Sequence, residues 1–379
     1  MYRDDFVRRM ESSGVDKRRS WSLHIDLPLL FILITLCGVG LAVLYSASGQ
    51  NLFYVKRQAL VMLLGFGAMF GTAQFTVRFW ERWSIVLYIV GLISLVMVLF
   101  FGVGAKGAQR WLDLGVTRFQ PSELMKVAVP LMVSAYLSRQ YIPPSFKHVL
   151  VVLVITLIPV MFVARQPDLG TALLIFASGF FVIFLAGLRK RYLITAFLLA
   201  LAAIPTLWIY VMRDYQKQRV LTLLSPQEDK LGAGWNIIQS TTAIGSGGWS
   251  GKGWTQGTQS QLNFLPESHT DFIIAVLAEE FGLLGVLSLC ALYALLIGRC
   301  MVIALNSQSH FGHMIAGSLS LTFFTYVFVN MSMVSGILPV VGVPLPFISY
   351  GGTAIVTLFL GFGILMAIST EPKRIRTEL

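Results

Sequence analysis

The chain has 379 residues, of which 56% are hydrophobic and 12% charged, where a soluble domain carries about 25% charged residues. That balance excludes an ordinary soluble protein. The formal net charge of +11 therefore points to anionic lipid beside membrane helices, not to nucleic acid, for which no binding module is present.

The first 22 residues are polar and charged and form a tail at 1–22. The apolar run that follows is too long for a cleaved signal peptide and is read as a retained helix. Runs of about 20 apolar residues, enough to cross a bilayer core as a helix, then recur. They predict about ten spans, at 27–46, 57–75, 84–102, 121–138, 148–164, 169–187, 192–211, 271–298, 312–334 and 352–370. The expected fold is an all-α polytopic membrane protein, with one transmembrane domain over 23–370 and a tail at 371–379. An even number of spans puts both termini on one side. Arg3, Arg8, Arg9, Lys17, Arg18 and Arg19, then Arg78, Arg82, Arg139, Lys147, Arg189, Lys190, Arg191 and Arg299, and finally Lys373, Arg374 and Arg376 share that side. Basic residues concentrate on the cytoplasmic face, so both termini are expected there.

Residues 212–270, between the seventh and eighth spans, predict a long extracytoplasmic loop. It is amphipathic in places and Gly/Trp-rich in others (GSGGWSGKGWTQG). A loop of this length is usually functional or disordered. Its tryptophans, Trp235, Trp249 and Trp254, suit interfacial anchoring better than sugar stacking. The window SGGWSGKG lacks the first glycine and the final Ser/Thr of a phosphate-binding P-loop. Cys37, Cys290 and Cys300 lie in or beside apolar runs without CxxC spacing, which gives neither a disulfide framework nor a zinc site. His310 and His313 lie on the side opposite His269, which argues further against zinc.

The expected outer segments carry the polar residues suited to chemistry. Asp271 falls in the first turn of the eighth span, where Ser268 or Thr270 could cap the helix. It is either an acid favoured by the helix dipole or a general base at the membrane face. Glu123 and Lys126 are three apart and share a helix face, as a structural ion pair or as an anion-binding lysine held by its glutamate. Asp168, in Arg165-Gln-Pro-Asp-Leu-Gly, reads first as turn and cap chemistry. Glu279 and Glu280 lie deeper in the eighth span and must be paired, protonated or water-lined. Spacing assigns them no chemistry.

With these residues in hand, the chain resembles the SEDS family (shape, elongation, division and sporulation) from about residue 24 onward. The resemblance rests on YSASGQ at 45–50, RFQPSELMK at 118–126, RQPDLGTALL at 165–174, GSGGWSGKGWTQGTQSQLNFLPESHTDF at 245–272 and GVPLPFISYGG at 342–352. The stretch WTQGTQSQLNFLPE is closer to elongation-associated members than to division-associated ones.

The resemblance implies a peptidoglycan glycosyltransferase of the bacterial cytoplasmic (inner) membrane that polymerises lipid II on the periplasmic face. It implies a class B penicillin-binding protein (transpeptidase) and other elongation-complex proteins as partners, together with membrane lipids. The family's essential aspartate follows an H-x-D-F pattern, here His269-Thr270-Asp271-Phe272, which makes Asp271 the expected base. Arg57, Arg118 and Lys126 are the implied substrate-binding cations. Glu123 is expected to orient Lys126 or Arg118, and Asp168 to shape the cavity. A divalent cation, Mg or Mn, suits pyrophosphate chemistry, but no ligand cluster requires one. The rival expectations are a lipid II flippase and a non-catalytic scaffold for the cross-linking enzyme.

Overall fold

The computed structural model describes residues 24–105, 108–113, 115, 118–212, 214–229, 233–261 and 267–372. The charged tail at 1–22, Lys373, Arg374 and Arg376, and residues 262–266 of the long motif lie outside the described residues.

Local chemistry starts the helices where the apolar runs begin. Asp26 Oδ1 accepts the Leu29 N–H at 3.0 Å and caps α1 (Leu27–Ala47), with a proline in the first turn. Asn51 caps α2 (Leu52–Ala73) and Thr76 caps α3 (Val77–Phe101). These side chains satisfy N–H groups that the helix itself cannot. Then come α4 (Pro121–Leu137), α5 (Phe146–Arg165), α6 (Leu169–Leu185) and α7 (Lys190–Thr206). The last of these continues into a π-turn at Leu207–Val211. The C-terminal half holds α8 (Asp214–Leu224), α9 (Ala233–Gly247), α10 (Thr258–Gln261), α11 (Ile273–Leu305), α12 (His310–Val334) and α13 (Thr353–Ser369).

The helices bury two main apolar cores. One joins α1, α2, α11, α12 and α13 around Leu33, Met69, Tyr293, Phe347 and Phe359. The other joins α3, α4, α5 and α6 around Leu95, Met125, Val129 and Ile175. Helix α12 packs on α6 as well as on α11 and ties the halves together. Helix α7 buries none of its residues.

Three features add detail to the expected fold. The fold is not purely helical: the segment after α3 forms a three-stranded antiparallel sheet, β1 (Val103–Ala105), β2 (Ala108–Asp113) and β3 (Arg118–Phe119), in the order β1-β2-β3. Strand alternation puts Trp111 and Asp113 on one face of β2 and Arg110 on the other. The 212–270 segment is not a simple loop, since it contains α8, α9 and α10, and α9 packs along α11. Among the described residues, seven helices are long and apolar enough to cross a membrane. By contrast α4, α6 and α13 have 17 residues each, about 25 Å at 1.5 Å per residue against a hydrocarbon core of about 30 Å.

The Gly-rich stretch has a structural task. Helix α11 breaks at Gly282 (φ 65°, ψ −161°), and the turn at 248–253 docks into the break. Leu283 and Leu284 N–H groups donate to the Gly248 and Trp249 carbonyls, and Lys252 and Gly253 N–H groups to those of Glu279 and Glu280. A Cβ on Gly251 would collide with the Glu280 carbonyl. Trp254 ties this turn to α1: its Nε1 donates to the Ala42 carbonyl at 3.2 Å and its ring packs 5.8 Å from Tyr45.

Candidate active site

A cavity of about 220 Å³ lies where the two halves of the bundle meet. Four helix starts line it. Gln120 and Glu123 come from α4, Asp168 and Thr171 from α6, Thr270 and Asp271 from the turn before α11, and Gly352, Thr353 and Ala354 from α13. A helix N-terminus behaves as roughly half a positive charge and favours anions. Only α6 of the four carries a side-chain cap, from Asp168 Oδ1 to the Thr171 N–H at 3.3 Å.

Glu123 and Lys126 are both an ion pair and part of the cavity wall. Lys126 Nζ donates to Glu123 Oε1 at 2.6 Å, and both side chains are buried. Tyr326 Oη donates to Glu123 Oε2 at 3.3 Å, and its ring lies 4.4 Å from the ammonium. Glu123 thus orients Lys126, and not Arg118. Asp168 combines its helix cap with a hydrogen bond from Gln120 Nε2 to its Oδ2 at 3.3 Å, and Arg110 Nη1 stands 3.9 Å from that oxygen. Arg110 also donates to the Gln166 and Pro167 carbonyls and clips the turn between α5 and α6 to the sheet.

Asp271 lies two residues before α11 and not in its first turn. The Thr270 N–H bonds to the Glu267 carbonyl at 3.0 Å, and α11 begins only at Ile273. Ser268 and Thr270 do not cap that helix. Ser268 Oγ donates to the Ala47 carbonyl at 3.1 Å and Thr270 Oγ1 to the Glu267 carbonyl at 3.2 Å. The Asp271 carbonyl accepts from Asn330 Nδ2 at 3.0 Å, and the same amide donates to the Val343 carbonyl at 2.7 Å. Asp271 Oδ2 lies beside Gly342, at φ 76°, where an added Cβ would sit 3.6 Å away. His269 packs against Tyr54 and Tyr350, with ring centroids at 5.3 and 6.2 Å. Burial pushes its imidazole below the ordinary histidine value, with the nearby Glu267 charge opposing, so it is neutral at neutral pH.

A second cavity, of about 1070 Å³, adjoins the first and shares Trp111 and Tyr350 to Thr353 with it. Arg57 and Arg118 line this one. Leu60, Val61, Leu64, Val356 and Leu360 form its apolar side, with Leu60 and Leu64 largely exposed. Of the six expected site residues, four therefore share the first cavity and two the second.

Glu279 and Glu280 stand apart from both. Glu279 is buried and accepts from Lys252 Nζ at 2.7 Å, from the Thr258 N–H at 2.8 Å and from the Gln259 N–H at 3.1 Å. Glu280 accepts from Ser46 Oγ. Among the described residues no three His, Cys, Asp or Glu side chains converge as metal ligands. The first cavity's carboxylates are dispersed, with Glu123 held by Lys126 and Asp168 by Gln120.

Arg110, Trp111, Gln120, Tyr326, Asn330 and Tyr350 were not singled out from sequence. Asn330 carried a signal, since a buried amide in an apolar helix needs partners. Arg110 carried little, because its place follows from strand pairing.

The family model for FtsW, RodA and SpoVE, described as "Cell cycle protein", matches residues 27–374. The chain belongs to this family. It is 54% identical to the peptidoglycan glycosyltransferase MrdB of Escherichia coli K12, across 94% of this chain and 97% of that protein. It is 36% identical to a probable peptidoglycan glycosyltransferase FtsW of Geobacter sulfurreducens, across 92% and 96%. Among solved structures it resembles a chain of a peptidoglycan synthase complex that coordinates polymerization and crosslinking, with TM-score 0.81, 29% identity and coverage of 91% and 97%. It also resembles the rod shape determining protein RodA of Thermus thermophilus, with TM-score 0.68, 27% identity and coverage of 91% and 96%.

Proposed function

We propose that the chain is the peptidoglycan glycosyltransferase of cell elongation, polymerising lipid II with Asp271 as general base. The observation that carries this reading is the convergence of an aspartate, a buried lysine and four helix N-termini on one cavity, beside an apolar groove headed by two arginines. The 54%-identical MrdB bears that activity in its name.

The reaction joins two lipid-linked sugars. Asp271 takes the proton of the acceptor GlcNAc 4-hydroxyl as its oxygen attacks the anomeric carbon of the donor. The bond from that carbon to the pyrophosphate oxygen breaks, and undecaprenyl pyrophosphate leaves. One displacement turns an α-linked donor into a β-linked product. Lys126, Arg57, Arg118 and the helix N-termini offset the charge that builds on the leaving group, where preorganised dipoles act most strongly. The groove along Leu60, Leu64 and Leu360 takes a polyprenyl tail while the sugars occupy the polar cavity. Asp168 and Glu123 hold the wall and the lysine in place. Mg or Mn would add positive charge at the pyrophosphate, and the dispersed carboxylates do not form a site for it.

In this reading the protein is one transmembrane domain of about ten spans over 23–370, with both tails cytoplasmic and the Asp271 cavity facing the periplasm. Its partner is a class B penicillin-binding protein, in keeping with the synthase complex it resembles.

The test is polymerisation of labelled lipid II by purified protein with its partner. Asp271→Asn is expected to lose at least about 10²-fold in rate, the size of a general-base contribution, while folding and partner binding stay intact. Equal polymer from both proteins would remove Asp271 from the chemistry. No polymer from wild type would favour a flippase or a scaffold.

A further inference from the structure

The end of the bundle opposite Asp271 carries another concave surface. A cavity of about 620 Å³ is lined by residues including His24, Phe75, Arg78, Arg82, Trp83 and Glu371. Arg78 and Arg82 are one turn apart on α3 and share a face. Both are exposed, and neither forms an ion pair among the described residues. Two other arginines are used differently: Arg139 pairs with Glu81 at 3.6 Å, and Arg299 with Asp26 at 2.6 Å. Across the cavity Glu371 supplies one carboxylate against the two guanidinium groups. His24 is held at the rim by a 2.9 Å hydrogen bond between its Nδ1 and Thr370 Oγ1.

Beside the arginines runs an aromatic ridge. Phe75 stacks on Phe79 at 4.5 Å and Phe79 on Trp83 at 5.6 Å. Aromatic rings of this kind sit at headgroup level. The arginine face then continues along α3 as Val86, Val90, Ile93 and Met97, all exposed. From Arg82 to Met97 that stripe is about 22 Å long at 1.5 Å per residue. The face therefore runs from a basic end flanked by aromatic rings to an apolar stripe, which matches a phospholipid from phosphate to acyl chain.

We propose that this cavity is a binding site for an anionic diacyl phospholipid, its phosphate on Arg78 and Arg82 and an acyl chain along the Val86–Met97 stripe. Guanidinium groups bind phosphate in a forked geometry. The long apolar stripe selects a membrane lipid over free phosphate, and the excess of positive charge selects an anionic lipid over a zwitterionic one.

The test uses the full-length protein in nanodiscs of phosphatidylglycerol or phosphatidylcholine, with lipid retained after detergent exchange counted by native mass spectrometry. Wild type is expected to keep phosphatidylglycerol several-fold over phosphatidylcholine. Arg78→Gln/Arg82→Gln, with an unchanged melting temperature, should lose about tenfold in retention, given the attraction of each basic residue for an anionic surface. Arg189→Gln/Arg191→Gln, which removes exposed charge at the start of α7, should lose little. Equal retention of both lipids, equal losses in the two double variants, or retention that emerges only after removal of residues 2–20 would overturn the site. On wild type, which needs no variant to fold, displacement of the lipid by millimolar inorganic phosphate would overturn it too.

Discussion

Two pairs of ionisable residues are buried in apolar helices, and they are treated in opposite ways. Glu123 and Lys126 satisfy each other and still border a void. Glu279 is covered by donors from Lys252, Thr258 and Gln259, and Glu280 accepts from Ser46; neither borders either of the two adjoining cavities. A buried charge is expensive wherever it lies. A charge whose partners surround it holds structure together, whereas a paired charge facing a cavity keeps its field for a ligand. Buried carboxylates within a helix would suit a transport route through the bundle. The geometry of the Glu279 cluster instead locks the Gly-rich turn and α10 onto the broken helix α11.

The comparison breaks if the two pairs respond alike to substitution. Lys126→Gln should lower lipid II polymerisation by about 10²- to 10³-fold, the scale seen when one electrostatic stabiliser is removed. It also leaves Glu123 buried without its cation, a loss of about 3–5 kcal/mol, so the rate is compared on protein that remains folded. Glu279→Gln should lower stability without a matching loss of rate. Breaking a buried pair costs about 3–5 kcal/mol, and partial exposure of Lys252 reduces that to about 2–3 kcal/mol. The expected sign is a lower melting temperature and faster proteolysis within 248–261, with polymerisation by the surviving folded protein within a few-fold of wild type.

Asn330 sharpens the contrast, because it acts on Asp271 through backbone. Asn330→Leu leaves a buried carbonyl, of Val343, and a part-buried one, of Asp271, without their donor, a loss of about 1–3 kcal/mol. Misplacement of the base should lower kcat about tenfold with KM nearly unchanged. A fall in stability with kcat unchanged would make Asn330 purely structural.

The smallest effect is expected at Asp26, at the far end of the bundle. Burial raises its carboxyl pKa, but hydrogen bonds from Arg299, Ser369 and the Leu29 N–H outweigh that and hold it below the ordinary value. A depressed acid contributes stability above its unfolded pKa of about 3.9, and that contribution is lost as pH falls through the folded value. The melting temperature of wild type should therefore drop more steeply below pH 4 than that of Asp26→Asn. Equal slopes would show that the clamp is not linked to that proton.

Much of the helical framework was legible because apolar runs and caps are local. Asp26 stands just before the first predicted span, whereas Asn51 and Thr76 cap helices that start at 52 and 77, earlier than the predicted 57 and 84. Long motifs also brought Asp271, Asp168 and the Glu123–Lys126 pair to notice before any geometry was known. The sheet was not legible, because its strands are short and interrupted and its pairing joins Asp113 to Arg118 across a turn. The α9 and α10 helices were missed because their region is not hydrophobic enough to stand out beside membrane spans.

The sequence by itself determined a membrane-embedded helical protein, its family, and a set of charged residues too costly to bury without purpose. Those properties are carried by hydropathy and by residue type, which act over a few turns. Only the tertiary structure decided which charges share a cavity. It placed Arg57 and Arg118 in the adjoining groove, brought Arg110 to Asp168 through β2, tied Asp271 to Asn330, and assigned Glu279 to Lys252. Arg110 and Asp168, Asp271 and Asn330, and Glu279 and Lys252 lie 58, 59 and 27 residues apart in sequence, so only tertiary packing brings them together.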